Sequence, residues 1–156
     1  MGEATTVTVR ALALDDRADW ERLYQGYADF YGVAQDQAMR ARVWDWLHDP
    51  AHECEGLVAE ASAGGAARAL VGLTHFRPFA RPLSATTGCF LDDLFVLPEA
   101  RGAGTGAALI EAVRRVAAAR GWSVLRWITR ADNHRARVLY DRVAVHTAWV
   151  TYDIVP

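Results

Sequence analysis

A strand that runs into a glycine-rich turn and then into a helix constrains this chain more than any other feature. The stretch Phe90–Ile110 starts as an apolar strand broken only by the pair Asp92-Asp93, and its turn has glycine at every second position from Gly102 to Gly106. The first amides of a helix lack intrahelical acceptors and carry partial positive charge, and glycine lets an anion approach them closely. This arrangement predicts an anion-binding turn beside a carboxylate. The alternative is a structural turn whose glycines only permit tight packing of helix on sheet.

Two familiar phosphate-binding motifs do not match this turn. The alternate glycines lack the Rossmann spacing G-x-G-x-x-G, and a Walker A loop is excluded because no Gly-Lys-Ser/Thr sequence occurs. A net charge of −2 gives no electrostatic basis for binding nucleic acid or an acidic membrane. No apolar run approaches the roughly 20 residues of a membrane helix. We therefore expect neither nucleic acid nor a membrane as a partner.

Length and cysteine usage set the remaining bounds. A chain of 156 residues is expected to form one domain over residues 1–156. Cys54 and Cys89 lie on predicted strands without metal-type spacing, which favours free thiols in a reducing compartment and therefore the cytoplasm. The histidines show no convincing metal spacing either, so we expect no metal.

Apolar periodicity and helix-terminating signals predict a mixed α/β sheet in the order β-α-α-β-β-β-α-β-α-β. The predicted elements are a strand over Thr5–Leu12, helices over Asp15–Tyr31 and Gln35–His48, strands over Cys54–Ala61, Ala69–Arg77 and Thr86–Leu97, a helix from the glycine turn to Arg120, a strand over Val124–Thr129, a helix over Asn133–Arg142 and a strand over Trp149–Val155. Residues 63–66 are small and predict a hairpin connection. The two strands flanking the long helix are expected to be parallel.

Three segments together resemble the GNAT family of N-acetyltransferases. They are Leu91–Pro98, the turn Arg101–Gly106, which fits the pattern Q/R-x-x-G-x-G/A, and Asp132–Tyr140. The predicted element order fits the acyl-CoA N-acyltransferase fold of that family along essentially the whole chain. Polyamine acetyltransferase-like members are the closest in motif. The resemblance implies direct transfer of an acetyl group from acetyl-CoA to an amine.

The cofactor site is the part of this resemblance that the turn itself also supports. In such enzymes the backbone amides of the turn hold the CoA pyrophosphate. Here these amides belong to Arg101, Gly102, Ala103, Gly104, Thr105, Gly106 and Ala107. The family alone implies that the strand pairs with the pantetheine arm around Phe95 and Val96, and that the next strand splays away to leave a wedge for amine and thioester.

Asp92 is the candidate general base. A carboxylate in an apolar strand has a raised pKa and can accept a proton near neutral pH, which amine acetylation needs because only the neutral amine attacks. Asp92 occupies the position of a glutamate in the polyamine acetyltransferase-like motif, with one methylene fewer, so a water can relay the proton. Neighbouring residues of a regular strand point to opposite faces, so only one of Asp92 and Asp93 faces the site unless a bulge re-aims the backbone. The structural alternative is that these aspartates cap backbone or bind an arginine.

Asn133 and Tyr140 lie on one predicted helix, about 10.5 Å apart along its axis. The resemblance assigns Asn133 to contact with the CoA arm and Tyr140 to protonation of the departing thiolate. Structural roles are also open to both, because Asn133 is a suitable N-cap and Tyr140 continues an apolar stripe.

The acceptor is expected to be a small primary amine, such as a polyamine or an amino-acid derivative. A protein lysine or N-terminus is the second choice, and a CoA-binding domain without catalysis, acting as a sensor or assembly partner, is the alternative of another class. In the family the first two helices shape the acceptor pocket. The candidate pocket residues are Tyr27, Tyr31, Asp36, Trp46, His75, which is also the backup base, and Asp93.

The sequence departs from the family after Arg142, where many members have a Gly-Phe pair and this chain continues Val143-Ala144-Val145. The family pattern therefore does not mark where the last strand starts. Its apolar, β-rich sequence suggests pairing with a second subunit, a homodimer mode that some members use.

Overall fold

The computed structural model describes residues 5–62 and 67–156, and it contains a mixed α/β arrangement of five strands and four α-helices. The elements are β1 Thr6–Ala11, α1 Arg17–Tyr31, α2 Gln37–His48, β2 Glu55–Ser62, β3 Ala69–Arg81, β4 Thr86–Val96, α3 Thr105–Ala119, β5 Leu125–Arg126 and α4 His134–Val143. The predicted fold class is confirmed. The predicted hairpin connection at residues 63–66 lies outside the described residues.

The strands form a single sheet in sequence order, β1-β2-β3-β4-β5. The first four strands are antiparallel to their neighbours. Only the last pair, β4 and β5, is parallel, as expected for strands that are joined by a helix. The long strand β4 therefore has an antiparallel partner on one edge and a short parallel partner on the other.

Helices cover both faces of this sheet and bury two apolar clusters. On one face α1 and α2 pack over the sheet through Trp20, Leu23, Tyr24, Trp44, Val58, Leu70, Leu73 and Phe95. On the other face α3 packs through Phe76, Cys89, Leu91, Ile110, Val113 and Ala117. Strand β4 contributes to both clusters, and this central position fixes the side chains that it presents between them.

Glycine and aspartate fix two of the helix ends. Gly32 ends α1 in the left-handed region at φ 65°, where glycine carries no Cβ penalty. Asp36 caps α2 by accepting a hydrogen bond from the Met39 amide at 2.8 Å. None of the helices in the described ranges is long and apolar enough to cross a bilayer.

The predicted last strand over Trp149–Val155 is wrong. The backbone from Ala144 to Pro156 has no regular structure, and its apolar side chains are exposed, with Ile154 at 92%. Strand β5 is also shorter than predicted and covers only Leu125–Arg126. A strand is stable only beside a paired neighbour, and so short a β5 offers a C-terminal segment of the same chain little to pair with.

Candidate active site

The glycine turn before α3 presents a row of free backbone amides. Gly102 and Gly104 have φ values of 84° and 83°, which favour glycine, and open space lies where a Cβ would project from either. The amide of Ala108 donates to the Gly104 carbonyl at 2.9 Å. Within the described part of the chain, the amides of residues 102–107 have no such acceptor. The turn can therefore donate several hydrogen bonds to an anion at the positive end of α3.

Arg101 closes the end of β4. Its own amide donates to the Pro98 carbonyl at 3.3 Å, and its Nε donates to the Val96 carbonyl at 2.9 Å. The guanidinium lies over the rings of Phe30 and Phe95. Burial, together with the charge of Arg135, lowers the pKa of Arg101. Arg101 thus uses its backbone to build the turn, and its side chain places positive charge beside it.

Two other predicted turn residues also have packing roles. Thr105 is almost fully buried, and its hydroxyl has no hydrogen-bond partner among the described residues, so only its backbone faces the turn. A Cβ on Gly106 would lie 3.2 Å from Leu139 of α4. The glycine pattern therefore serves both helix packing and the exposed amides.

One edge of β4 is open next to this turn. The strand pairs with β5 only at Cys89 and Phe90, opposite Leu125 and Arg126. Beyond these positions β5 ends while β4 continues to Val96. The edge of β4 from Leu91 to Val96 therefore offers backbone groups to an extended ligand, in a wedge that leads to the glycine turn.

A β-bulge brings both aspartates of β4 into one cavity. His75 lies opposite Asp93, and the next residue, Phe76, lies opposite Leu91, so Asp92 is the extra residue of the bulge. A cavity of about 340 Å³ between α1, α2 and the sheet is lined by Tyr24, Val43, Trp46, His52, Glu53, Cys54, His75, Arg77, Asp92 and Asp93. The bulge therefore overcomes the strand alternation that would have separated the two carboxylates.

The two carboxyl groups have opposite electrostatic environments. Burial raises the pKa of Asp92, although Arg77 lies 3.2 Å away and opposes this shift. Burial acts in the same direction on Asp93, but hydrogen bonds from His75 and Tyr24 outweigh it, and the pKa of Asp93 is lowered. Asp92 is thus the better proton acceptor and Asp93 the more stable anion.

Asp93 is held by donors from two elements. The Tyr24 hydroxyl donates to Asp93 Oδ2 at 3.0 Å, and His75 Nδ1 lies 2.7 Å from the same oxygen. His75 is buried, and its Nε2 accepts a hydrogen bond from the indole N–H of Trp20 at 2.9 Å. Both ring nitrogens of the backup base therefore already have partners.

The first two helices contribute to the cavity differently from the prediction. Trp46 lines it and stacks on His52, with ring centroids 4.9 Å apart. Tyr27 lies beside Tyr24, and its hydroxyl favours the ionised form of Asp93. Tyr31 and Asp36 are not among the lining residues; Tyr31 packs on Tyr27, and Asp36 caps α2.

The sequence prediction did not include Tyr24 or Arg77 in this site. Tyr24 lies four residues after Trp20 on the same side of α1, and it belongs to both the core and the cavity. Arg77 lies two residues after His75 on the same strand, so strand alternation could have placed both on one face. His52 and Cys54 come from the segment before β2, where no motif marks them.

Tyr140 and Asn133 both make contacts with residues of α4 or of the segment before it. Tyr140 packs edge-on against Trp127 with ring centroids 5.4 Å apart, and burial raises the pKa of its phenol to about 12. Asn133 caps α4, since its Oδ1 accepts from the Ala136 amide at 3.4 Å and its Nδ2 donates to Thr129 at 3.3 Å.

No group of three metal-binding side chains lies together in the described ranges.

Comparison with known proteins gives the same family as these motifs. The model of the acetyltransferase (GNAT) family matches residues 20–144. A relative in Saccharomyces cerevisiae, the D-amino-acid N-acetyltransferase HPA3, is 28% identical over 146 residues, which are 94% of this chain and 89% of the relative.

Solved structures of the same fold cover almost the whole chain. The ribosomal-protein-alanine N-acetyltransferase of Brucella melitensis biovar Abortus 2308 is 25% identical, with a TM-score of 0.73 and coverage of 97% of this chain and 99% of that one. An aminoglycoside N-acetyltransferase solved in complex with CoA has a TM-score of 0.76 at 18% identity, covering 97% of this chain and 96% of that one. The second similarity concerns the fold alone.

Proposed function

The chain belongs to the acetyltransferase (GNAT) family, and from that premise we propose that it transfers the acetyl group of acetyl-CoA directly to the primary amine of a small molecule. The observation that carries this proposal is the β4 bulge, which places Asp92 and Asp93 in one cavity beside the open edge of the same strand. The whole chain, residues 1–156, forms the catalytic domain in this proposal. No covalent enzyme intermediate is needed, because amine and thioester meet in the wedge.

Acetyl-CoA binds along β4 and the glycine turn. The free amides from Gly102 to Ala107 hold the pyrophosphate, and the unpaired edge around Phe95 and Val96 pairs with the pantetheine arm. Amides of this edge also polarise the thioester carbonyl as negative charge develops on its oxygen. Asn133 contacts the CoA arm from the N-terminus of α4. The CoA complex of the similar aminoglycoside acetyltransferase is consistent with this use of the fold.

Asp92 removes the proton that keeps the amine from reacting. It takes one proton from the ammonium group, directly or through a water, and the neutral nitrogen attacks the thioester carbon. The C–N bond forms, the tetrahedral intermediate passes its second N–H proton to solvent, and the C–S bond breaks. The raised pKa of Asp92 suits this transfer near neutral pH.

Tyr140 acts on the leaving group. Because its pKa is about 12, the phenol stays protonated at neutral pH and always presents a donor. It donates to the departing thiolate and passes it a proton, which solvent then replaces. The products are the acetylated amine, the CoA thiol and one proton.

The charge of the cavity favours a cationic acceptor. Three carboxylates, those of Glu53, Asp92 and Asp93, line it with a single arginine, Arg77. A polyamine fits the negative charge, whereas Arg77 favours an amine that also carries a carboxylate. The name of the yeast relative, a D-amino-acid N-acetyltransferase, agrees with the second class, so we place amino-acid-like amines first and polyamines next. A protein lysine or N-terminus is the alternative acceptor.

The test is an amine panel that measures CoA thiol release from acetyl-CoA. It contains D- and L-amino acids, spermidine, an aminoglycoside, and a lysine peptide with and without a blocked N-terminus. We expect turnover with a small amine and mass-spectrometric detection of one added acetyl group. Turnover only with the peptides would favour the alternative acceptor. Tight CoA binding without turnover on any amine would instead support a non-catalytic CoA-binding domain.

We also propose a homodimer in which the C-terminal segment, residues 144–156, pairs with a second copy. Trp149, Tyr152 and Ile154 are 86%, 88% and 92% exposed, and β5 has a partner on only one edge. The two aromatic side chains of each segment bury about 150–250 Å² apiece, so two exchanged segments would contribute about 600–1,000 Å² from these side chains alone toward the roughly 1,200–2,000 Å² of a standard interface. Light scattering of the full chain is expected to give a dimer, and a chain ending at Val143 a monomer.

The free thiols Cys54 and Cys89 fit a cytoplasmic enzyme.

A further inference from the structure

A hydrogen-bonded chain runs from the core under α1 to the cavity, and the mechanism above does not use it. Trp20 Nε1–H donates to His75 Nε2 at 2.9 Å, and His75 Nδ1 lies 2.7 Å from Asp93 Oδ2. Trp20 and His75 are buried, at 0% and 1% exposure, while the side chain of Asp93 is 18% exposed. Only the last member of the chain can reach a ligand.

The partners of His75 decide where its proton lies. An indole nitrogen can only donate, so His75 Nε2 must be an acceptor and carries no proton. A neutral imidazole then has its proton on Nδ1, which donates to Asp93. A proton on Nε2 would point at the Trp20 N–H and break that hydrogen bond. His75 is therefore held as one neutral tautomer and cannot take the proton of an amine.

The same donors fix the state of Asp93. Its Oδ2 receives hydrogen bonds from His75 and from the Tyr24 hydroxyl, and these donors favour the ionised carboxylate. Its Oδ1 has no direct hydrogen bond from the described residues, although the nearby Tyr27 hydroxyl also favours the ionised carboxylate, and this oxygen is the one available to a ligand. Thr74 Oγ1 also donates to the Asp93 carbonyl at 2.8 Å, which anchors the backbone at the bulge. The carboxylate is thus fixed in position with one oxygen to spare.

We propose that Asp93 is the anion that binds the ammonium group of the acceptor, and that Trp20 and His75 are positioning residues that hold its carboxylate ionised and in place. This inference rests on the proposed amine acetylation. It gives the two aspartates different roles: Asp93 binds the ammonium group, and Asp92 accepts its proton. A fixed anion aligns the amine before reaction, and a carboxylate that stays ionised keeps its attraction for the ammonium group.

The first test reads the tautomer without any activity. In protein labelled with ¹⁵N-histidine, long-range proton–nitrogen spectra at neutral pH distinguish protonated from bare ring nitrogens. We expect a bare Nε2 and a protonated Nδ1 for His75, assigned by loss of its signals in His75→Asn. In Trp20→Phe, which keeps an aromatic ring but lacks the donor, we expect mixed tautomers. A protonated Nε2 in the unaltered protein would overturn the positioning role.

The second test separates positioning from packing by kinetics. In His75→Asn the amide nitrogen replaces Nδ1–H as donor to Asp93, whereas His75→Leu has no donor. We expect His75→Leu to raise the KM for the amine at least tenfold with an unchanged KM for acetyl-CoA, and His75→Asn to restore most of the difference. Equal KM values for the amine in both variants would reject the inference.

Tyr24→Phe is the second variant, for the case in which His75→Leu does not fold. It removes the other donor to Asp93 Oδ2 and keeps the ring, and we expect a rise of about threefold in the KM for the amine. An unchanged value would count against the inference. The proposed function and this inference fail on different results. The proposed function is rejected if the unaltered protein acetylates no amine. The inference is rejected if the unaltered protein is active and the variants have the same kinetics.

Discussion

The glycine turn and the aspartate cavity both adjoin β4, and they are built in opposite ways. At the turn, the amides from Gly102 to Ala107 have no acceptor among the described residues, so their hydrogen-bonding capacity is left to a ligand. In the cavity, both aspartates already have partners, Asp93 in His75 and Tyr24, and Asp92 in Arg77. The turn leaves its amide donors free for a large anion, whereas the aspartates of the cavity are already held by hydrogen bonds in the absence of a ligand.

This difference separates binding from chemistry. An amide without a protein partner exchanges bound water for the ligand, and a hydrogen bond to a charged group contributes about 1.5–3 kcal/mol net, which suits a cosubstrate that must be held by its phosphates. A paired carboxylate has a defined charge and direction, which suits proton transfer. Substitutions at the turn should therefore change CoA affinity, and substitutions in the cavity should change the reaction with the amine. Each of the following predictions can contradict that division.

The largest expected effect is on the amine reaction in Asp92→Asn. Loss of a positioned base costs about 100- to 10,000-fold, so kcat/KM for the amine should fall by that order while CoA affinity is unchanged. In the unaltered enzyme, kcat/KM should also fall as the pH drops through the pKa of Asp92, which burial raises, because only the ionised carboxylate accepts a proton. Steady-state kinetics across pH and calorimetry with CoA measure these quantities.

Asp19→Asn, an exposed change on α1, is the matched control and should leave kcat/KM unaltered. Asp92→Asn should not reduce thermal stability, because a carboxylate whose pKa is raised on folding destabilises the native state wherever it is ionised. If the variant retained full activity at neutral pH, Asp92 would not be the base.

The second effect lies at the turn, in Gly104→Val. A β-branched residue is a strained outlier at φ 83°, at a cost of about 1–3 kcal/mol, and the turn must leave its anion-binding shape to relieve it. We expect CoA affinity to fall by about 10- to 100-fold, measured by calorimetry. Gly121→Val is the matched control, since Gly121 has φ 69° and open space beside it at the other end of α3. It should lower the melting temperature similarly and leave CoA affinity intact, whereas equal losses of affinity in both variants would contradict the division.

The same contrast explains what the sequence could predict. The turn is a local feature, since its amides, glycines and helix start lie within a few residues, and the strand, turn and helix occur in the predicted order, although the Arg101 amide is paired with the Pro98 carbonyl. The shared cavity of Asp92 and Asp93 depends on a bulge opposite His75 and Phe76, which has no sequence signal of its own. The bond from Trp20 to His75 joins residues 55 positions apart, so periodicity could place Trp20 in the core but not identify its partner.

The wrong last strand has a related cause. Residues 149–155 have the alternation and β-branched residues of a strand, but a strand also needs a neighbour to pair with. The pairing of β5 is limited to two residues because β4 and β5 diverge at the wedge. Local preference predicted a strand that the described fold does not pair.

Tyr140→Phe should have a smaller effect than the first two changes. A phenol with a pKa of about 12 is a weak acid at neutral pH, so its loss should lower kcat by about tenfold, with little change in the KM for either substrate. Phenylalanine keeps the contact with Trp127, and the melting temperature should be almost unchanged. Single-turnover kinetics with amine acceptors measure the step directly. An unchanged rate would remove Tyr140 from the leaving-group role.

The smallest expected effect is at Asp36, where the predicted pocket role and the observed cap role give different results. As the N-cap of α2, its loss in Asp36→Ala should cost about 1 kcal/mol of stability and leave the KM for the amine unchanged. Asp36→Ser keeps a capping oxygen and should restore most of that stability. If Asp36 also contacted the acceptor, both variants would raise the KM for the amine, because serine restores the cap but not the charge. Thermal melts and amine kinetics on this pair thus show whether the acceptor site extends from the cavity to the start of α2 or ends at Trp46.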